Sequence, residues 1–503
     1  MCSAETTKHN MRILLVYLEP LDNEPMGLLY IGTVLKKEGY AVKLIGLEGK
    51  TTEDKVSYVQ KEVFGFQPDI VGLSVTTMFA GKAEEVAMGI KKDFPKVTIV
   101  AGGPHPTVCP QETLKSKHVD FCIIGEGEIS ILDLVRNISL NMPSFENVKG
   151  IALLDKENKL ITTEKGDYIN NLDDLPFIDR ELLPENVIRG RAGYPLGSPS
   201  LLLITVRGCP YNCTFCQPTV DLMFGKKTRK RSPENVVAEI AELKRKYDVN
   251  GLWINDDTFS YDYDWTSRFC NLMIQSKLNS ILWHANGRIN RARKDVLLKM
   301  RNAGCVGVVM TFEAGSTRIR EEVFCKGLSY DDIINAYNIC HEIGLPAQAN
   351  IMLGSPTETE AELTESVNLI EKVKPHFMNA SYTTALPGTY MYDKYASSIA
   401  SSPYYKTYDD FNVGRIKKTE NLISETRLKE VWDYLEKRYS KSSYTNRARH
   451  FFQYKYFRKF LYRRWRTLLV SKHPNFKHLC FDIMAILLGS WCYFKNRKSY
   501  IRT

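Results

Sequence analysis

Cysteine is scarce in this chain: twelve in 503 residues, too few for a disulfide-stapled secreted scaffold. Long apolar runs are missing as well. The best candidate, Leu479–Phe494, is sixteen residues interrupted by Asp482, short of the roughly 20 that a membrane-spanning helix needs. Residues Met1 to Met11 are polar and lack the apolar core of a secretory leader. The bias of collagen, coiled coil or wholesale disorder is also absent, with 44% hydrophobic and 25% charged residues. At roughly 100–200 residues per domain, the length predicts about three domains. These absences point to a reducing cytoplasm, where clustered cysteines are read as metal ligands or nucleophiles before disulfides.

Charge is unevenly spread. From Lys441 to Thr503 there are fifteen Lys/Arg and one acid, Asp482, a surplus of fourteen; the whole chain carries +10, so the other 440 residues sum to −4. Within this tail, Arg447–Val470 interleaves aromatics with Arg and Lys, and Thr426–Tyr439 has the pattern of an amphipathic helix. The basic tail fits a helical cap over the preceding domain, or peripheral contact with an anionic membrane. Nucleic acid, through stacking and phosphate contacts, is the least favoured partner.

The N-terminal third alternates short apolar runs with helical patterns. Arg12–Leu18, Val42–Leu47, Ile70–Val75, Val97–Ala101 and Phe121–Ile124 read as strands; Gly27–Glu38, Lys82–Phe94 and Ser130–Arg136 read as helices. Buried strands separated by helices predict a parallel, doubly wound α/β sheet, with ligands beyond the carboxyl ends of its strands. Small residues gather there: Ser74-Val75-Thr76 after strand three, Gly102-Gly103-Pro104-His105 after strand four, Gly125-Glu126-Gly127-Glu128 after strand five. Glycines let a bulky ligand approach the backbone, although Gly and Pro also end strands for purely local reasons. Gly150–Thr163 reads as a hairpin in a connector without chemistry.

After a strand-like run, Leu201–Val206, comes Arg207-Gly208-Cys209-Pro210-Tyr211-Asn212-Cys213-Thr214-Phe215-Cys216. Given so few cysteines, this C-x3-C-x2-C spacing arises by chance less than about once in a hundred such chains. Structural zinc wants four ligands, usually in two pairs, and no second pair exists. Three thiolates suit a [4Fe–4S] cluster with one iron left open to an exogenous chelator. Further strand–helix units then recur, each with polar residues at the strand's carboxyl end: Asp256-Asp257, Arg288, Glu313-Ala314-Gly315, Gly354–Thr359 and Pro387-Gly388-Thr389. This is the layout of a parallel partial barrel.

These motifs resemble a known family over about residues 11–395. The cysteine string, including Phe215, resembles the radical S-adenosylmethionine (SAM) superfamily. The glycine strings resemble the cobalamin-binding domain that precedes many such enzymes, in the class B methyltransferase and anaerobic magnesium-protoporphyrin ester cyclase-like group. The resemblance implies a flavodoxin-like cobalamin-binding domain (11–145), a connector (146–195), a partial (β/α)6 barrel (196–395) and a basic, mainly helical C-terminal region (396–503). It implies that Cys209, Cys213 and Cys216 hold a [4Fe–4S] cluster, and that Phe215, Asp256, Asp257, Glu313 and Gly354 surround SAM, with Glu313 at the ribose. It also implies that Ser74, Thr76, Gly102, Gly103, His105, Gly125, Glu126 and Gly127 contact cobalamin, whose nucleotide tail lies beside strands three and four. The usual cobalt-ligating His after strand one is absent from Glu19–Glu24; His105 is expected to be structural or to touch the tail rather than to ligate cobalt.

The activity implied is methylation of an unactivated carbon on a small-molecule, lipid or tetrapyrrole-like substrate, through a 5′-deoxyadenosyl radical and methylcobalamin. An electron donor such as flavodoxin or ferredoxin is expected. Oxidative cyclisation or rearrangement shares the layout. An RNA-modifying radical enzyme usually has a cysteine-bearing first domain, and Cys109 and Cys122 make no such motif. A non-catalytic corrinoid- or metal-binding module docked on membranes is the rival of another kind.

Overall fold

The computed structural model describes residues 11–21, 24–48, 51–140, 144–190, 196, 199–399 and 423–439. Five strands begin it: β1 (Arg12–Tyr17), β2 (Ala41–Gly46), β3 (Ile70–Ser74), β4 (Thr98–Gly102) and β5 (Phe121–Ile123). They pair in parallel in the order β2-β1-β3-β4-β5. Ile13, Leu14 and Val16 of β1 and Ile70 and Val71 of β3 are fully buried, because helices cover both faces and each strand is apolar on both sides. Burying such a side chain contributes about 1.5–3 kcal/mol. The hairpin of β6 (Ile151–Leu154) and β7 (Leu160–Thr162) adds antiparallel to β5, so the connector's hairpin belongs to this first sheet.

The second sheet has six parallel strands. They are β8 (Ser200–Leu203), β11 (Gly251–Ile254), β12 (Leu282–Gly287), β13 (Cys305–Met310), β14 (Ala347–Leu353) and β15 (Phe377–Tyr382), in that spatial order; β9 (Val206–Arg207) and β10 (Arg229–Lys230) form a small antiparallel ribbon. The sheet curls as an open half-barrel. Phe259, Trp265, Phe269 and Trp283 pack edge-to-face or stacked outside it, with ring centroids 5.5–5.7 Å apart.

Leu201–Val206 reads as one strand in the sequence, but the structure breaks it. Asp256, after β11, accepts hydrogen bonds from the Thr205 amide (2.6 Å), the Val206 amide (3.0 Å) and the Thr205 hydroxyl. Those amides are thereby withdrawn from the ladder. The chain turns between β8 and β9, and this turn delivers the cysteine loop to the barrel mouth.

The helix Glu425–Tyr439 packs on β15, where the Trp432 indole donates to the Ala380 carbonyl at 3.0 Å. This part of the C-terminal region caps the barrel edge. The expected interfacial segments beyond it, Arg447–Val470 and Leu479–Phe494, lie outside the described residues. Among the described residues no helix is long and apolar enough to cross a membrane.

A buried ion network ties the connector to both sheets. Arg180, fully buried, donates to Glu24 (2.7 Å), Glu239 (3.3 Å) and the Leu202 carbonyl (2.6 Å), while Arg231 donates to Glu239 at 2.6 Å. Removing one partner strands a charge out of water. Arg180→Met is expected to cost about 3–5 kcal/mol in urea unfolding; a loss under about 1 kcal/mol would contradict this reading.

Candidate functional site

A cavity of about 320 Å³ begins inside the first domain and ends at the barrel. Its inner wall is Leu15, Gly72, Ser74, Val100, Gly102, Gly103 and Ile123, its side is Gly27, Leu28, Tyr30 and Ile31, and its far end is Val206, Arg207, Phe224, Asn255 and Asp257. Six glycines line it: Gly27, Gly72, Gly102, Gly103, Gly125 and Gly127. Two are fixed by backbone needs. Gly103 has φ +108°, and a Cβ there would sit 2.9 Å from the Val75 carbonyl oxygen. Gly125 has φ +81°, and its Cβ would press on the Leu222 carbonyl oxygen at 3.3 Å. The missing side chain at Gly125 therefore lets the barrel helix Thr219–Phe224, which follows the cysteine loop, seat against the first domain.

Of the eight residues expected on the first domain, Ser74, Gly102, Gly103, Gly125, Glu126 and Gly127 line the cavity. Thr76 and His105 do not. Thr76 is exposed. His105 is buried, with Nδ1 3.3 Å from the Thr77 hydroxyl.

Glu126 reaches the wall, but its carboxylate is committed to the domain junction. It accepts from Arg229 at 2.7 and 2.9 Å, from Arg207 at 3.0 Å and from the Ile169 amide at 3.0 Å. Arg207 donates to Glu128 at 2.5 Å and lies over the Tyr30 ring at 5.1 Å. Arg207 and Arg229 are cross-strand neighbours in the β9–β10 ribbon, a like-charge pair that destabilises without a counter-ion. Burial alone would raise Glu126; the Arg229 and Arg207 guanidiniums instead hold it below the usual carboxylate value. The sequence reading missed this network; its visible trace was a basic residue two positions before Cys209.

The cysteine loop is pinned from both sides. The Thr214 amide donates to the Phe324 carbonyl (3.0 Å), the Met391 amide to the Thr214 carbonyl (2.9 Å) and the Tyr390 amide to the Gln217 carbonyl (2.7 Å). Phe215 meets Phe324 edge-on at 5.3 Å. Cys209 lies 3.7 Å from the Thr258 hydroxyl and Cys213 lies 3.8 Å from Arg288 Nη1. Although Cys216 is open to solvent, the protein packed around it pushes its thiol up to about 12, and the charge of Cys213 adds to this. Burial raises Cys209 too. Thiolates here need a partner that brings positive charge. Among the described residues no three His, Cys, Asp or Glu side chains converge on a single-ion site. Cys216 feels the charges of both Cys213 and Cys209, and three coupled thiolates fit a cluster of several irons.

Around that loop, Glu313 stands at φ +64° after β13, held by backbone bonds to Asn350 and Met352 of β14. Its carboxylate accepts from Lys326 at 2.7 Å, and Lys326 also donates to Thr311 at 2.9 Å. Gly354 ends β14 at φ +69°. Asp257 lines the cavity. The Asp256 side chain is engaged by the fold: both its oxygens accept from Thr205 and Val206, and burial raises it to about 7.

His105 yields a pH prediction. Burial lowers it to about 4 from 6.5. The folded state keeps it neutral while the unfolded chain protonates. Its stabilising contribution is thus complete above pH 6.5 and fades as pH falls toward 4. Unfolding measured across that window should lose up to about 3 kcal/mol through this group. His105→Gln should flatten the profile by that amount; an unchanged slope would contradict the assignment.

Comparison with known proteins agrees with this geometry. The B12 binding domain family matches residues 17–135 and the Radical SAM superfamily residues 203–370. An uncharacterized methyltransferase of Pyrococcus horikoshii is 31% identical over 80% of this chain and 84% of its own length. The anaerobic magnesium-protoporphyrin IX monomethyl ester cyclase of Rubrivivax gelatinosus is 26% identical over 72% of this chain and 64% of its own length. The radical SAM methyltransferase TsrM from Kitasatospora setae, solved with cobalamin and a [4Fe–4S] cluster bound, shares the fold at TM-score 0.62 and 18% identity, over 78% of this chain and 76% of that one. With both domain matches and the Pyrococcus horikoshii relative in hand, this chain belongs to the cobalamin-dependent radical SAM methyltransferase family, whose cofactors are a [4Fe–4S] cluster, SAM and cobalamin.

Proposed function

We propose that the protein methylates an unactivated carbon of a small-molecule, lipid or tetrapyrrole-like substrate. The observation that carries the reading is a cavity that joins Ser74 and Gly102 in the first domain to Arg207 and Asp257 at the barrel mouth. It lets a corrinoid held by one domain face chemistry performed in the other. When bound, the cofactors supply a SAM-derived radical and a methyl carrier.

The chain's own residues do the rest. Cys209, Cys213 and Cys216 would hold the cluster, whose chemistry when bound is the one-electron cleavage of SAM. Glu313, steadied by Lys326, keeps lone pairs for the ribose hydroxyls. Gly354, after β14, and Asp257, on the cavity wall, complete the SAM surroundings in this reading, and Phe215 packs the loop against Phe324. Ser74, Gly102, Gly103, Gly125 and Gly127 shape the corrinoid slot without bulk, while Glu126 orients the junction. Glu24 is the Arg180 partner, so the loop after β1 commits its acid to the fold. A flavodoxin- or ferredoxin-like protein delivers the electron, and the basic tail makes any peripheral membrane contact.

Cyclisation without methyl transfer is the second reading, favoured by the likeness to the Rubrivivax gelatinosus cyclase. Comparing metabolites of producing and deletion strains separates the two. Methylation adds one CH2 to the product mass; cyclisation removes hydrogen or adds oxygen.

Two variants test the sites. After anaerobic reconstitution, the wild type should release 5′-deoxyadenosine and Cys213→Ala at least about a hundredfold less, since each tenfold reflects about 1.4 kcal/mol; equal release would defeat the radical reading. At Gly102 a Cβ meets only Ile123, at 3.6 Å. Gly102→Val should therefore fold, yet bind cobalamin at least about tenfold more weakly. Undiminished binding would place the corrinoid elsewhere.

A further inference from the structure

Beyond the cysteines, one buried cation touches the loop. Arg288 follows β12 and is only 8% exposed. Its Nη1 lies 3.8 Å from Cys213 Sγ, its Nη2 donates to the Lys326 carbonyl, and its guanidinium lies over the Tyr211 ring at 3.9 Å. Tyr211 sits inside the cysteine loop, so the loop itself provides the shelf for this cation. None of these partners is a carboxylate, and among the described residues no ion pair neutralises Arg288. Of the other cations near the loop among the described residues, Arg291 meets Tyr211 from the solvent side and the buried Lys326 is paired with Glu313 at 2.7 Å. Asp257 acts on the opposite side of the loop, at Cys209. Arg288 Nε is buried and has no acceptor among the described residues. An unmade bond of that kind is costly, and it is sustained where the donor serves a group that the chain does not itself supply.

We infer that Arg288 is a positioning residue for the cluster: its guanidinium holds fixed positive charge and N–H donors against the Cys213 sulfur, and so raises the reduction potential of the cluster. The inference rests on the reading that Cys209, Cys213 and Cys216 hold that cluster. One-electron reduction makes the cluster and its thiolates one unit more negative. An external reductant supplies the electron, and no proton need move. A cation at the sulfur in low dielectric stabilises the reduced form more than the oxidised one. Charge and hydrogen bonds at the sulfurs are established levers on such potentials. Arginine suits the task because it stays protonated and stacks on an aromatic face.

The test is an EPR-monitored redox titration of the anaerobically reconstituted full chain, without SAM, for wild type, Arg288→Gln and Tyr211→Leu. Iron, sulfide and bound cobalamin are counted for each. The Gln variant is expected to load the cluster and titrate at a more negative midpoint. The Leu variant, which loses the shelf but keeps the cation, should shift the same way by less. If Arg288→Gln fails to load, Tyr211→Leu decides alone: a negative shift supports the inference, and an unchanged midpoint overturns it. Loaded clusters with wild-type midpoints in both variants overturn it as well. Absence of any cluster in the wild type would instead defeat the underlying reading, so the two failures are distinct.

Discussion

Everything at the mouth of this molecule depends on a small knot of buried charge, in which Glu126 and Glu128 of the first domain receive Arg207 and Arg229 of the second. Such pairs contribute little net stability compared with an apolar core, because both charges are removed from water. Their value here is geometric. Arg207 stands two residues before Cys209, and Gly208 between them takes φ +86°, so fixing the guanidinium fixes the start of the cysteine loop. The carboxylates stand in the Gly-Glu-Gly-Glu turn that walls the cavity. One knot thus locks the slot in the first domain to the loop in the second.

A second constraint works from below. Asp256 gathers the Thr205 and Val206 amides and ends the first barrel strand early. The chain then crosses into the ribbon that carries Arg207. Arg180 braces the same strand through the Leu202 carbonyl. The position of three thiols is therefore the outcome of several buried polar contacts, each of which specifies direction better than it adds stability.

Much of this was legible in the sequence. Parallel strands buried on both faces read as continuous apolar runs, so the first five strands appear within a residue of their observed ends, whereas Leu201–Val206 ran past the break after Leu203. The cysteine spacing identified its own chemistry, since three thiols in eight residues have few uses. The glycine strings located the slot. What stayed hidden was partnership. Asp256 and Asp257 are adjacent and chemically alike, yet one braces a turn and the other faces the cavity; only the tertiary fold separates them. Glu126 looked like a ligand contact because it stands between two glycines of the cavity wall, but the paired arginines that claim it lie 81 and 103 residues away. Gly125 was read as making room for a cofactor, and it also makes room for a helix. Arg288 was visible only as a residue after a strand, since nothing local announces that it stacks on Tyr211.

The central claim is that cobalamin and the iron–sulfur cluster meet across one cavity, held there by the knot at the domain junction. EPR of the full chain with both cofactors loaded, the cobalt as cob(II)alamin and the cluster reduced, tests this directly. The account predicts a magnetic interaction between the two spins, seen as broadening or faster relaxation of each signal when the other is present. Two independent, unperturbed spectra would contradict it.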